Sequence, residues 1–469
     1  MIDWLNEAKK YQNDLFRDLE MILTIPSVRD TEHATKEFPL GPGPAEALTT
    51  MLDLAERDGF TTKNVENVAG RIEYGDGPET LGVFGHLDVV PAGDGWQTDP
   101  FKPVIKDGKL YARGSADDKG PALAAYYALK ILKDLNLPVN KKIHYILGTD
   151  EESEWYGINR YLAVEPTPDF GFSPDAEFPI INGEKGIASF KVTFKAGPAI
   201  TGALQLRSFD SGIRENMVPQ NAQAVLVGHD LDDLSAQFTD FAAENELIGD
   251  AQLEDRGLIL SLTGKGAHAL EPDAGVNAGT YLATFLNQLP LDEAGQQYVR
   301  AIAQVMQLDS RGHKLGVAYQ DQLMGDLTAS PDIFNYQAGE NNSVIINIRY
   351  PQGTTAETIN QQINTTMAKF GDNIASEIFG HAQTPHYVPA NDPLVQTLLA
   401  VYERQTGLKG QEQIIGGGTY GRLLKRGVAF GAQFPGQPNV MHQANEYMPV
   451  ADILKATAIY AEALYELTK

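Results

Sequence analysis

A histidine and an aspartate stand two residues apart at His86-Leu87-Asp88, where they close the apolar run Leu81-Gly-Val-Phe-Gly85. If that run is a strand, both side chains lie on one face of it. A metal-binding imidazole needs a partner for its second ring nitrogen, and a carboxylate two residues on supplies one, so the pair reads as a ligand with its own orienting group. Four further clusters carry the same kinds of atoms. Arg113-Gly-Ser-Ala-Asp117-Asp118-Lys119-Gly packs two adjacent carboxylates and a lysine into a turn, and Asp150-Glu151-Glu152 follows another apolar run. Phe172-Ser-Pro-Asp175 ends a short apolar segment, and Val440-Met-His442-Gln-Ala-Asn-Glu446 brings a second imidazole. Each has a plain alternative: a strand-ending histidine can be structural, aspartate at a helix start caps free N–H groups, and Asp-Glu-Glu can be a solvated loop. Together, His86 and His442 with Asp117, Glu152 and Asp175 form a donor set that suits paired borderline-to-hard divalent ions, zinc first and manganese or cobalt next.

These clusters need elements that bring them to one place. Leu81 to His86 reads as a buried strand, Pro121 to Leu135 has helical spacing with proline near its first turn, and Lys142 to Thr149 reads as a second strand. Strand, helix, strand predicts a βαβ unit in a mostly parallel sheet. In open α/β sheets the chemistry gathers at the carboxyl ends of the strands, where both His86 and Asp150-Glu151-Glu152 fall. After Ile180 the texture changes: Ile187–Phe194, Gly257–Gly264 and Ser343–Tyr350 alternate, as antiparallel strands with one solvated face do. From about Pro389 the helical and buried-strand texture returns. The expectation is an α/β domain made of residues 1–185 and 382–469, with a second domain of residues 186–381 inserted into it. Glu215-Asn-Met-Val-Pro-Gln-Asn-Ala and Glu340-Asn-Asn-Ser-Val-Ile-Ile-Asn-Ile-Arg349 share a faint similarity, which hints at two related halves in the insert.

At 469 residues the chain is too long for one ordinary core, and 42% hydrophobic with 21% charged residues is the composition of a soluble globular protein. The absence of cysteine excludes thiolate nucleophiles, disulfides and cysteine-ligated zinc. A formal charge of −25 argues against nucleic acid or an anionic membrane as partner, since phosphates require clustered Lys and Arg. Met1 to Leu23 is amphipathic, with Asp3, Glu7, Asp14, Asp18 and Glu20 among its apolar positions, so it does not read as a signal peptide, and the expected compartment is the cytoplasm.

The motifs recur in a known order. Gly85-His86-Leu-Asp88-Val-Val-Pro91, Arg113-Gly-x-x-Asp117-Asp-Lys-Gly, Glu151-Glu152, Ser-Pro-Asp175 and His442 followed by Glu446 resemble the M20 metallopeptidase family of aminoacylase and carboxypeptidase G. Chain length, the large insert and Gly416-Gly-Gly-Thr-Tyr-Gly-Arg422 look most like that family's PepV-type dipeptidases of lactic acid bacteria. The resemblance implies an α/β, mostly parallel-sheet zinc-exopeptidase domain with an inserted α+β lid, and two Zn2+ per chain, with Mn2+ or Co2+ as substitutes. It implies that His86 and Asp175 serve one metal and His442 and Glu152 the other, with Asp117 bridging both and Asp88 orienting His86. Glu151 becomes the general base, and the peptide bond after Asp117 is expected to be cis. In the insert, Gly264-Lys-Gly-Ala-His268 resembles the lid motif whose histidine stabilises the oxyanion; the alternative is that His268 merely caps a helix beginning near Asn277. Asn216 and Arg349 would grip the substrate's carboxylate end, and Gly417 and Gly418 would line it. Arg349 otherwise reads as a surface residue on a strand.

The insert also departs from the common pattern of the family, in which a shorter lid is completed by a histidine from a second subunit. Two related halves could stand in for that subunit, which makes a monomer the expectation. His33, His144, His229, His313, His381 and His386 match no ligand position. The function so implied is that of a cytoplasmic zinc dipeptidase acting on small unblocked peptides. A deacylase of N-acylated amino acids from the same family is the nearest rival, and a non-catalytic metal- or peptide-binding protein is the rival from a different class.

Overall fold

The computed structural model describes residues 2–196, 204–229 and 231–469. The chain divides into two compact units: residues 1–183, 387–414 and 418–469 in the first, residues 184–386 and 415–417 in the second. Among the described residues no helix is long and apolar enough to cross a membrane.

The first unit is built on a six-stranded sheet in the order Thr61–Val65, Ala69–Tyr74, Lys142–Gly148, Thr80–His86, Phe170–Ser173 and Gly427–Ala429. The two outer pairings at one edge are antiparallel and the three that follow are parallel. Thr80–His86 and Lys142–Gly148 are buried along almost their whole length, which is why they appear in the sequence as continuous apolar runs. The helix joining them runs from Lys119 to Asp134, two residues earlier than its apolar periodicity suggests. Asp118 occupies its N-cap position yet makes no side-chain cap hydrogen bond, so capping does not account for that carboxylate. Lys119 is buried and donates from Nζ to the carbonyls of Ile22 (3.1 Å) and Ile25 (2.7 Å), tying the end of the Gln12–Leu23 helix to the turn before its own helix.

The second unit holds an eight-stranded sheet, antiparallel throughout, in the order Ile248–Glu254, Gly257–Thr263, Asn221–Gly228, Leu204–Ser211, Thr328–Gln337, Asn342–Tyr350, Gly186–Phe194 and Ile374–Gln383. Its two sets of four repeat one plan. Leu204–Ser211 with Asn221–Gly228, and Thr328–Gln337 with Asn342–Tyr350, are each an adjacent antiparallel pair. Each pair is followed by a helix, Leu231–Glu244 or Ala356–Met367, and then by the strand at the sheet's edge. Between that edge strand and the pair lies one further strand, Gly257–Thr263 in one half and Gly186–Phe194 in the other. The two similar sequence segments enter the equivalent strands Asn221–Gly228 and Asn342–Tyr350, so the faint likeness coincides with a structural one. The halves meet where Ser208–Ser211 pairs with Phe334–Gln337.

Two tests address the sheet of the first unit. A Cβ at Gly171 would run into the carbonyl oxygen of Gly82 across the parallel pairing that sets up the Ser-Pro-Asp175 turn. Gly171→Ala should therefore lower the unfolding free energy by about 1–3 kcal/mol, measured by denaturant titration. His144 is buried opposite Glu73, and burial, with Arg71 next, pushes its imidazole down to about 4. Because the folded value lies below the unfolded value of about 6.5, its contribution to stability is present above that pH and is lost as pH falls through about 4. The melting temperature of His144→Gln should fall less than that of the parent between pH 6.5 and 4.5.

Candidate metal centre

His86 is the last residue of its strand and is fully buried. Its Nδ1 lies 3.1 Å from the carbonyl oxygen of Asp88 and 3.3 Å from the Asp88 carboxylate. Two acceptors at Nδ1 hold the proton there and leave the Nε2 lone pair for a ligand. Asp88 does more than the strand geometry predicts: its carboxylate oxygens accept from the backbone N–H of Glu151 (3.0 Å) and of Glu152 (3.1 Å). One side chain thus orients the imidazole at the end of one strand and pins the paired glutamates after the neighbouring strand.

The Asp117 turn is held from behind. Glu446 accepts from the backbone N–H groups of Ala116 (2.8 Å) and Asp117 (3.2 Å), and its other oxygen accepts from buried Arg113. The Asp117–Asp118 peptide is cis. Asp118 turns inward and accepts from the backbone N–H of His86 at 3.0 Å, so the second aspartate of the pair holds the first histidine. Held in this way, the Asp117 carboxylate has one oxygen 3.1 Å from His86 Nε2 and the other 2.9 Å from His442 Nε2. Glu152 stands 2.8 Å from the same His442 nitrogen, and Asp175 stands 3.6 Å from His86 Nε2. His442 sits in left-handed backbone at φ 62°, as does Asn445 nearby, in the loop that ends at Glu446.

All seven of these first-unit candidates, His86, Asp88, Asp117, Glu151, Glu152, Asp175 and His442, lie in one cluster. Two donor sets, His86 with Asp117 and Glu152, and His86 with Glu151 and Asp175, each have their ligand atoms within 4.8 Å of one another. Both members of the glutamate pair therefore reach the donor atoms, Glu151 beside His86 and Asp175, Glu152 beside Asp117 and His442.

Burial and mutual repulsion make this a costly place for bare carboxylates. Burial first, and then the charge of Asp175, raises Glu151 well above the usual carboxyl range. Burial and Asp117 push Glu152 up to about 7, while burial and Asp117 also raise Asp175. Burial works against a charged His442, but its hydrogen bonds to Asp117 and Glu152 outweigh it and push the imidazole up to about 11. In the absence of a cation, protons must take up part of the excess negative charge. Imidazole nitrogens and carboxylate oxygens converging in such a field are the donor chemistry of divalent ions, so the residues present fit a two-metal site.

Sequence patterning missed three contributors besides the second role of Asp88: Asp118, Tyr420 and Trp155. The Tyr420 ring packs edge-on against His86, with centroids 6.4 Å apart, and against Trp155 at 5.1 Å. Tyr420 belongs to the Gly416–Arg422 string, which was the available signal; Trp155 had none.

The remaining candidates lie in the second unit, apart from Gly418. Met217–Val218 pairs with Ala267–His268 in a two-strand ladder, and the carbonyl of Asn216 accepts from Ala269 N–H at 2.9 Å, so Asn216 and His268 are neighbours. His268 does not cap the following helix. That helix, Ala278–Leu286, is capped by Asn277, which accepts from Thr280 N–H, whereas His268 Nδ1 accepts from Leu270 N–H at 3.0 Å. Arg349, which alternation alone would leave at the surface, is 5% exposed. Its Nε donates to Asn347 and its Nη1 to the carbonyl of Gly416. Gly417 belongs to the second unit and Gly418 to the first.

Residues 82–466 match the family model described as peptidase family M20/M25/M40. The chain is 48% identical over 466 residues to a protein from Lactobacillus delbrueckii subsp. lactis named beta-Ala-Xaa dipeptidase, covering 99% of this chain and 98% of that one. Among solved structures, the dipeptidase Dug1p of Saccharomyces cerevisiae superposes with a TM-score of 0.60 at 15% identity, covering 99% of this chain and 98% of that one. Human carnosine dipeptidase 1 superposes with a TM-score of 0.57, also at 15% identity and with the same coverage. At that identity the two structures speak for the fold alone, whereas the family model and the bacterial relative span most of the sequence. The chain belongs to the M20/M25/M40 family of peptidases.

Proposed function

We propose that this protein is a cytoplasmic, monomeric dinuclear zinc dipeptidase that hydrolyses unblocked dipeptides. The observation that carries the reading is the Asp117 carboxylate, with one oxygen at each of two imidazoles and a further carboxylate beside each. His86 and Asp175 would hold one ion and His442 and Glu152 the other, with Asp117 shared. Divalent ions bound there would lower the pKa of a water and polarise the scissile carbonyl. Glu151 takes the proton from the attacking water as its oxygen bonds to the carbonyl carbon. It then returns that proton to the leaving nitrogen as the C–N bond breaks. Asp88 keeps both a proposed ligand and the proposed base in place, through the His86 ring and the backbone of Glu151.

In the second unit, read as a lid, His268 would stabilise the oxyanion, Asn216 and Arg349 would take the carboxylate end, and Gly417 and Gly418 would line the substrate. A grip on that end limits substrate length, because a longer chain has no free carboxylate where the grip lies. The relative from L. delbrueckii subsp. lactis is named for β-Ala-Xaa dipeptides, and its full-length similarity supports extending that substrate class to this chain. The rival, deacylation of N-acyl amino acids, would use the same metal centre with a different amine side, so a panel of β-Ala-Xaa and α-dipeptides, tripeptides and N-acetyl amino acids separates the two.

Two outcomes are expected. Glu151→Gln should lower kcat by about 10²–10⁴-fold on dipeptides while leaving the metal content measured by elemental analysis unchanged; an active variant would remove Glu151 as base. Chelation should abolish dipeptide hydrolysis, and elemental analysis of the active protein should find two ions per chain, falling towards one in His442→Ala. Preference for N-acetyl amino acids over dipeptides would favour the rival.

A further inference from the structure

The sheet of the second unit carries an unusual stripe. Ile346 and Ile348 belong to its apolar core, whereas the intervening Asn347, together with Arg349, Ser189, Thr328 and Ser330 on the flanking strands, is polar and buried. Ser189 and Ser330 are the direct cross-strand neighbours of Asn347, and Thr328 is that of Arg349. Alternation normally sends such residues to solvent; here Ser189, Asn347 and Arg349 form a hydrogen-bonded chain. Asn347 accepts from Arg349 Nε at 2.9 Å through its side-chain oxygen, and its amide group donates to Ser189 Oγ at 3.2 Å. The second hold on the guanidinium is the carbonyl of Gly416, which accepts from Nη1 at 3.0 Å.

From this geometry we infer that Asn347 is a positioning residue for substrate binding, setting the plane of the Arg349 guanidinium that receives the substrate carboxylate. The inference rests on the reading of Arg349 given above. An arginine side chain has many rotamers, and a two-pronged contact with a carboxylate needs the guanidinium plane in one orientation. Asn347 is itself fixed by its strand and by Ser189, so it anchors Nε, the guanidinium nitrogen nearest the main chain. Gly416 anchors the plane at a second point. Ordering the fork before substrate arrives removes that cost from the binding step. Asparagine also suits the place electrostatically: its amide oxygen holds the guanidinium without adding a charge opposite it.

The experiment compares Asn347→Ala, Asn347→Asp and Arg349→Ala, using one dipeptide and the same dipeptide as its C-terminal amide. Asn347→Ala should raise KM for the free dipeptide about three- to tenfold with kcat nearly unchanged. Because the amide lacks the carboxylate, its kcat/KM should not change. Asn347→Asp keeps the acceptor but loses the donor to Ser189 and sets a carboxylate against the guanidinium in competition with the substrate's, so its KM for the free dipeptide should not recover. Arg349→Ala should raise KM for the free dipeptide by more than Asn347→Ala does, again sparing the amide. A normal KM in Asn347→Ala beside a raised KM in Arg349→Ala overturns the positioning role and leaves the carboxylate grip standing. A normal KM in Arg349→Ala overturns the grip itself and the inference with it. Equal losses on dipeptide and amide in Asn347→Ala, with a lowered melting temperature, assign Asn347 to packing and also overturn the inference.

Discussion

The centre of the first unit depends on keeping one carboxylate between two imidazoles in a buried setting. Asp117 can face both His86 and His442 only if its backbone is held, because a free aspartate would turn towards water and shed the cost of burial. The hold comes from behind, through Glu446 on two successive N–H groups and Arg113 on Glu446. Arg113 and Glu446 are a buried pair, whose loss on one side leaves an uncompensated charge. Much of the polar interior of this unit thus positions the residues proposed to do chemistry. Asp118 on the His86 backbone and Lys119 on the carbonyls of Ile22 and Ile25 extend the same scheme towards the N-terminal helices.

Asp88 shows how compactly the strand ends are used. A carboxylate has lone pairs for several donors, and here they are shared between an imidazole and two backbone N–H groups. The neighbouring parallel strands Thr80–His86 and Lys142–Gly148 bring those donors within reach, since strands in register present their carboxyl ends side by side. Burial first, and then the mutual repulsion of the acids they gather, raises Glu151, Glu152 and Asp175 together. That shared strain in protonation is the physical counterpart of a site built for cations.

The second unit solves a different problem with a repeated plan. Two four-strand sets of equivalent order share one sheet, and short ladders and polar stripes at defined places carry the residues proposed to meet substrate. Asn216 and His268 are adjacent because the Met217–Val218 and Ala267–His268 segments pair, although about fifty residues separate them along the chain. Arg349 is fixed by an asparagine two residues before it on the same face of its strand, and by a glycine carbonyl far along the sequence.

Where a residue's place in a strand or helix follows from its neighbours in sequence, local pattern suffices to read it. The buried strands before His86 and Asp150 appear as apolar runs because water is excluded from both faces of a parallel sheet, and the helix after Asp117 appears through its periodicity. The pairing of His86 with Asp88 follows from the two-residue repeat of a strand. The alternation after Ile180 is the texture of the antiparallel strands of the second unit, residues 184–386 with 415–417. Other assignments depended on contacts between distant segments, which no local pattern encodes. Asp118 looks like a helix cap and is instead a backbone acceptor for His86; Arg349 looks exposed and is buried; Asp88 reaches across to Glu151 and Glu152; Tyr420 packs on His86. Residue types and their order therefore determined which atoms are available for chemistry, because donor chemistry and strand or helix period are properties of short segments. Tertiary structure decided which of those atoms face each other and which only hold their neighbours in place, because a hydrogen bond depends on distance and direction between elements that the chain brings together only when it folds.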